Sequence, residues 1–367
     1  MQPLSGITVL DFTTLLPGPL ATLMLAEAGA EVIKIERPGG EELRHYQPRW
    51  EGDAAVFALL NRGKRSLVLD LKNAHDQAKI QDYFGFSDIL VEQFRPGVMD
   101  RFGFGYERLR AINPRLIYCS ITGYGQNGPR TAEAGHDLNY IGHTGLLSLQ
   151  SGPPDAPVVP PALVADIGGG TYPAVINILL ALRRRDATGE GCHLDIAMAD
   201  AMFSFAVFAL AQGQATGRYP GNGELLLAGG SPRYQLYLTR DGRLVACGAL
   251  EQPFWLSFTG AIGLDPKFVD DRDDPAATKA AVAAIISARS ATEWQPTLQA
   301  ANCCATIVAT LDEATQDPHF VARGLFRHSI VGPSGARMPA LPLPIAPLFR
   351  TDPDQPKSVR DSPSVCR

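Results

Sequence analysis

The stretch ITVLDFTTLLPGPLATLMLAEAGAEVIKIERP, residues 7–38, decides the fold. ITVLDFT reads as a short apolar strand and LPGP as a turn. LATLMLAEAGA has helical spacing and stops near Gly29, and EVIKIERP is the next strand. A strand, a helix and a strand within about thirty residues predict a parallel pair joined by a crossover helix. The glycine fingerprint of dinucleotide-binding turns is absent. Leu16, Pro17, Gly18 and Pro19 stand in its place, and a proline there removes an amide that a pyrophosphate would use. The expectation is a Rossmann-like sheet without a nicotinamide site.

The same pattern continues outward. SLVLDLK, DILVEQF and LIYCSITGYG read as further strands with helices between them. TYPAVINILLALRRR reads as a helix whose cations suit its negative end, and Arg183, Arg184 and Arg185 as its solvated terminus. CHLDIAMAD reads as a strand leading into the helix AMFSFAVFALAQ. Residues 1–212 are therefore assigned to a large Rossmann-like α/β domain with a parallel sheet, to which residues 331–367 return. Residues 213–230, rich in glycine and proline, are a linker. Residues 231–330 form a smaller α+β domain, with a β-hairpin turned at Asp241 and Gly242 and an alanine-rich helical stretch broken near Ser290.

Bulk properties suit an ordinary globular enzyme. The 367 residues are 45% hydrophobic and 19% charged, with a formal net charge of -5. Nothing here attracts nucleic acid broadly, so a phosphate-bearing ligand needs a few placed cations. Cys119, Cys192, Cys247, Cys303, Cys304 and Cys366 match neither a disulfide framework nor a C-x-x-C site, and read as reduced thiols of a cytoplasmic protein. No basic segment followed by a hydrophobic one opens the chain, and no uninterrupted apolar run approaches about 18 residues. No membrane partner is expected.

Three places carry candidate chemistry. EAGHDLNYIGHTG, residues 133–145, sets His136 beside Asp137. This is either a capped turn before a helix or a proton-handling base at a pocket. In ALVADIGGGTYPAV, Asp166 precedes three glycines and a helix. Either Asp166 caps that helix and the glycines allow tight packing, or the carboxylate and the amides of Ile167 and Gly168 face a reacting oxygen. Glu251 in CGALEQPFW ends a strand of the small domain. No G-x-S-x-G, H-E-x-x-H or Walker loop is present, and the seven histidines show no metal-ligand spacing.

Together, GHDLNY, ADIGGG and LEQPFW, preceded by IERPGG, KRSLVLDLK, FRPGVMDRFGFG and NPRLIYCSITGYGQ, resemble the family III CoA-transferase (CaiB/BaiF) superfamily. The sequence looks most like its α-methylacyl-CoA racemases. The resemblance implies a large Rossmann-like and a small domain in an interlocked homodimer, with the active site between the large domain of one subunit and the small domain of the other. It implies His136 and Asp166 as the racemising pair, with Glu251 supporting the histidine. It implies contacts to coenzyme A from Arg37, from Leu69, Asp70, Leu71 and Lys72, from Arg95, and from Gly135, Asp137, Leu138, Asn139 and Tyr140. The substrate would be an acyl-CoA, with no cofactor beyond the coenzyme A it carries and no metal. The small residues around His136 would admit the thioester, and apolar residues near Met202, Phe203 and Trp255 would line the acyl pocket. The same superfamily offers an alternative, in which Asp166 attacks the acyl-CoA carbonyl and CoA passes between carboxylic acids through a mixed anhydride.

Overall fold

The structure is a computed structural model that describes residues 2–153, 155–353, 358 and 360–361. Two compact units emerge. The first comprises residues up to Thr144, Pro161–Phe205 and the described residues from Pro318 onward; the second comprises Gly145–Pro160 and Ala206–Asp317. The boundaries differ from those read in the sequence. Residues 145–160 join the second unit, 318–330 join the first, and the expected linker begins inside a helix, Val207–Thr216.

The first unit is built on a parallel sheet. Its strands are β1 (Thr8–Asp11), β2 (Glu31–Glu36), β3 (Arg65–Val68), β4 (Ile89–Glu92), β5 (Ile117–Thr122) and β6 (Cys192–Ala197). The spatial order is β3-β2-β1-β4-β5-β6, with a two-residue strand, Arg360–Asp361, added beside β3. Every neighbouring pair is parallel. This is the doubly wound order, and its direction of winding reverses between β1 and β4. Ligands of such sheets bind beyond the carboxyl ends of the strands at that reversal.

Helix α1 (Pro17–Glu27) crosses from β1 to β2 as expected, and all eleven of its residues are buried. Its two early prolines sit where an amide would have no helical partner. Helix α2 (Asp137–His143) follows β5 and α3 (Tyr172–Thr188) precedes β6. The expected helix is longer than its apolar pattern, because a π-helical segment, Val164–Thr171, runs directly into α3. By length and composition the joined helix would suffice to cross a membrane; in the fold, 44% of its apolar window is buried. Arg185 is no solvated terminus. It is 4% exposed and pairs with Asp88 at 2.9 Å. The tail returns to this unit: Ser329–Val331 pairs with Arg337–Pro339, and Arg350 meets Glu27 of α1 at 3.3 Å.

The second unit holds a three-stranded antiparallel sheet of β7 (Tyr234–Leu238), β8 (Leu244–Gly248) and β9 (Ala305–Ile307). Gly242 takes a left-handed φ of 77° at the hairpin tip, a conformation that favours glycine. Ser290 caps Ala291–Ala301 through a reciprocal box with Glu293, which accounts for the helical break. Trp255 and Trp294 fill this core with Phe258, Val282 and Leu298. Trp255 is fully buried with its indole N–H donated to Val269, and Met202 is fully buried in the first unit, so neither is free to line an acyl pocket; Phe203 is exposed.

Candidate active site

Two cavities open at the carboxyl ends of the first unit's strands. One, of about 510 Å³, is lined by His136 and Asp166 with Thr14, Leu15, Pro17, Gln93, Phe94, Arg95, Gly123, Tyr124, Gly135, Asn139 and Tyr140 among others. The other, of about 330 Å³, is lined by Arg37, Leu69, Asp70, Leu71 and Lys72, together with Glu36, Glu41 and Glu42. Thr14 and Phe94 line both. Thr14 lies three residues past β1 and Phe94 two residues past β4, so the shared wall stands at the reversal of the sheet.

His136 is the N-cap residue of α2, with extended backbone angles of -129° and 178°. Its amide N–H donates to Asn139 Oδ1 at 3.0 Å, which ties the cap to the first helical turn. His136 thus stands at a helix start and also lines a cavity.

Asp137 does something else. It is 6% exposed, and its Oδ1 accepts the amides of Ala165 at 2.7 Å and Asp166 at 2.9 Å. It is not a wall of either cavity; it fastens the start of the π-helix to the start of α2. Burial first, and then the neighbouring Asp137 charge, push the Asp166 carboxyl up to about 6, with His136 opposing them. A carboxyl so placed exchanges protons near neutral pH.

Of the two amides expected to face a reacting oxygen, those of Ile167 and Gly168, the first is already engaged within the chain. The Ala165 and Asp166 amides serve Asp137, and the Ile167 amide donates to Leu163 O at 3.0 Å. The three glycines answer to packing. A Cβ on Gly168 would lie 2.6 Å from the Phe205 ring, and one on Gly169 would lie 2.3 Å from the Met198 carbonyl oxygen. One on Gly170 would lie 3.0 Å from Pro17. Gly135 is small for a similar reason: a Cβ there would lie 2.7 Å from the Tyr140 ring, whose hydroxyl donates to the Gly135 carbonyl.

Of the residues named from the sequence, the fold gathers His136, Asp166, Arg95, Gly135, Asn139 and Tyr140 at the first cavity. It gathers Arg37 and residues 69–72 at the second. Leu138 is exposed and lines neither. Glu251 is the exposed N-cap residue of Gln252–Ile262 in the second unit. Thr14, Leu15, Gln93, Phe94 and Tyr124 went unnoticed in the sequence. Their signal was position, just beyond the ends of β1, β4 and β5.

Residues 4–360 match the family described as CoA-transferase family III. The chain belongs to that family. Within family III it is 33% identical over 356 residues to the alpha-methylacyl-CoA racemase of Homo sapiens, covering 95% of this chain and 90% of the relative. It is 35% identical to the acetyl-CoA:oxalate CoA-transferase of Acetobacter aceti, covering 94% and 89%. A CAIB/BAIF family protein from Brucella suis superposes with a TM-score of 0.80 at 31% identity, covering 99% of this chain and 96% of that one. This family III chain is thus an enzyme whose relatives carry both racemase and transferase names at similar identity.

Proposed function

We propose that this family III enzyme takes acyl-CoA thioesters and racemises a 2-methylacyl group by proton transfer between Asp166 and His136. One group removes the α-proton and leaves the bonding pair in an enolate of the thioester. The other returns a proton to the opposite face, so the groups exchange protonation states and the atoms balance. Positioned transfers of this kind contribute typically about 10²–10⁴-fold each. The observation that carries the reading is one cavity lined by an imidazole and by a carboxyl held near 6. The nucleotide part of the substrate is assigned to the second cavity, where Arg37 and Lys72 supply cations for phosphates. Glu251 is assigned to the His136 of a second copy. The apolar row Tyr172, Ile176, Leu179 and Leu180, exposed on α3, is the kind of surface a dimer covers; sedimentation gives the mass.

CoA transfer through an anhydride at Asp166 is the second reading, favoured by the 35% identity to the oxalate transferase. The decisive experiment incubates the purified enzyme with 2-methylacyl-CoA in D₂O without an acceptor acid. Deuterium at the α-carbon is the expected result, and it should vanish in His136→Ala. CoA transfer to an added carboxylate, with no deuterium incorporated and with His136→Ala still active, would overturn the racemase reading.

A further inference from the structure

Next to Thr14, on the wall of the first cavity, stands a strained residue. Leu15 takes a left-handed φ of 61°, which a residue with a Cβ adopts only when its surroundings impose it. Glu41, buried at 3% exposure, accepts the Leu15 amide through Oε2 at 3.0 Å. The other oxygen of Glu41 pairs with Lys34 at 3.2 Å, and Lys34 Nζ donates to the Thr13 carbonyl at 2.8 Å. On the near side of the loop, Asp11 accepts the Thr13 amide at 2.9 Å and is itself held by Lys64 at 3.0 Å. Residues 13–15 are thus gripped at successive backbone groups by a buried set of charges, and Thr14 and Leu15 face the catalytic cavity.

We propose that Glu41 is a positioning residue of this enzyme: by holding Leu15 in its left-handed conformation it sets the Thr14–Leu15 wall against which the acyl-CoA lies. The proposal rests on the acyl-CoA reading above. Glu41 touches no reacting atom; it also lines the second cavity, so a direct effect on the nucleotide is the alternative that the comparison of backgrounds below separates from an effect through the backbone it holds. Burial alone would make Glu41 matter for folding. The specific claim is that its effect on binding passes through the conformation of Leu15.

Glycine adopts a positive φ without penalty, so Leu15→Gly removes the need for a carboxylate to impose it. The test measures acyl-CoA dissociation constants by calorimetry, and kcat and KM for α-proton exchange, in the wild type, Glu41→Gln, Leu15→Gly and the double variant. Glu41→Gln is expected to weaken acyl-CoA binding at least about tenfold, with the loss mainly in KM, as displacing a substrate-contacting wall does. In the Leu15→Gly background the same change should cost less than about threefold. An equal factor in both backgrounds overturns the proposal and leaves the functional reading standing. A wild type that binds no acyl-CoA overturns both, while one that binds but does not exchange protons overturns only the racemase reading. Should Glu41→Gln not fold, the apolar pair Lys34→Met with Glu41→Leu replaces it in the same comparison, since replacing both members of a buried ion pair is tolerated far better than removing one.

Discussion

At the scale of a residue, Asp166 shows how a site opposes the stability of its own fold. Its carboxyl is held at about 6 against an ordinary 3.8, through burial and the Asp137 charge. A raised carboxyl means that the folded chain binds the proton more tightly than the unfolded one. The associated stability is therefore complete below pH 3.8 and is lost as pH rises through about 6. Asp166→Asn should abolish activity yet stabilise the protein at pH 7.5. The gain is about 1–2 kcal/mol after discounting the shift for partial solvent screening. It should disappear near pH 3.5. Thermal unfolding at the two pH values checks this, and a variant no more stable than wild type at pH 7.5 would contradict the assigned cause. The sign for catalysis is opposite: activity that uses Asp166 as the base should fall as pH drops through about 6.

At the scale of elements, the site depends on two helix starts fastened together. The Asp137 carboxylate at the beginning of α2 accepts two amides at the beginning of the π-helical segment. Asp137→Asn keeps an oxygen to accept those amides and deletes the like charge. It should leave the fold intact and move the acid limb of the activity profile below pH 6. Asp137→Ala leaves two amides without their acceptor and should cost about 1–3 kcal/mol. Should Asp137→Asn leave the acid limb where it is, Asp137 does not contribute to the Asp166 shift. The three glycines that follow belong to the same junction: they let the segment approach Met198, Phe205 and Pro17 more closely than any side chain would permit.

At the scale of the whole molecule, one ligand is read across two cavities that share Thr14 and Phe94. This makes the roles of the two sets of residues separable by substrate length. Lys72→Ala, in the second cavity, should raise KM for an acyl-CoA about tenfold, the loss expected for one charge-assisted contact to a phosphate. Added salt should narrow that difference. With an acyl-pantetheine thioester, which lacks the nucleotide, wild type and variant should have equal KM. Equal losses on both substrates would place the nucleotide elsewhere.

What the sequence by itself determined is what short-range chemistry controls. Strand, helix and strand within residues 7–38 specified a parallel crossover, since apolar periodicity and turn residues act over a few positions. The hairpin at Gly242 and the helix break at Ser290 were legible for the same reason. His136 and Asp166, singled out by the motifs around them, line one cavity. Only the tertiary structure decided what those motifs do. Asp137 looked like a ligand contact beside His136, and became a buried acceptor for amides 28 and 29 residues away. The glycines after Asp166 left substrate approach and tight packing both open, and the fold packs them against Met198 and Phe205. Arg185 looked like a solvated helix end and lies buried against Asp88. Thr14 and Phe94, eighty residues apart in number, met only because the sheet reverses its winding between β1 and β4. Burial, like-charge repulsion and close packing depend on which distant segments the fold brings together, and no local pattern in the chain encodes that.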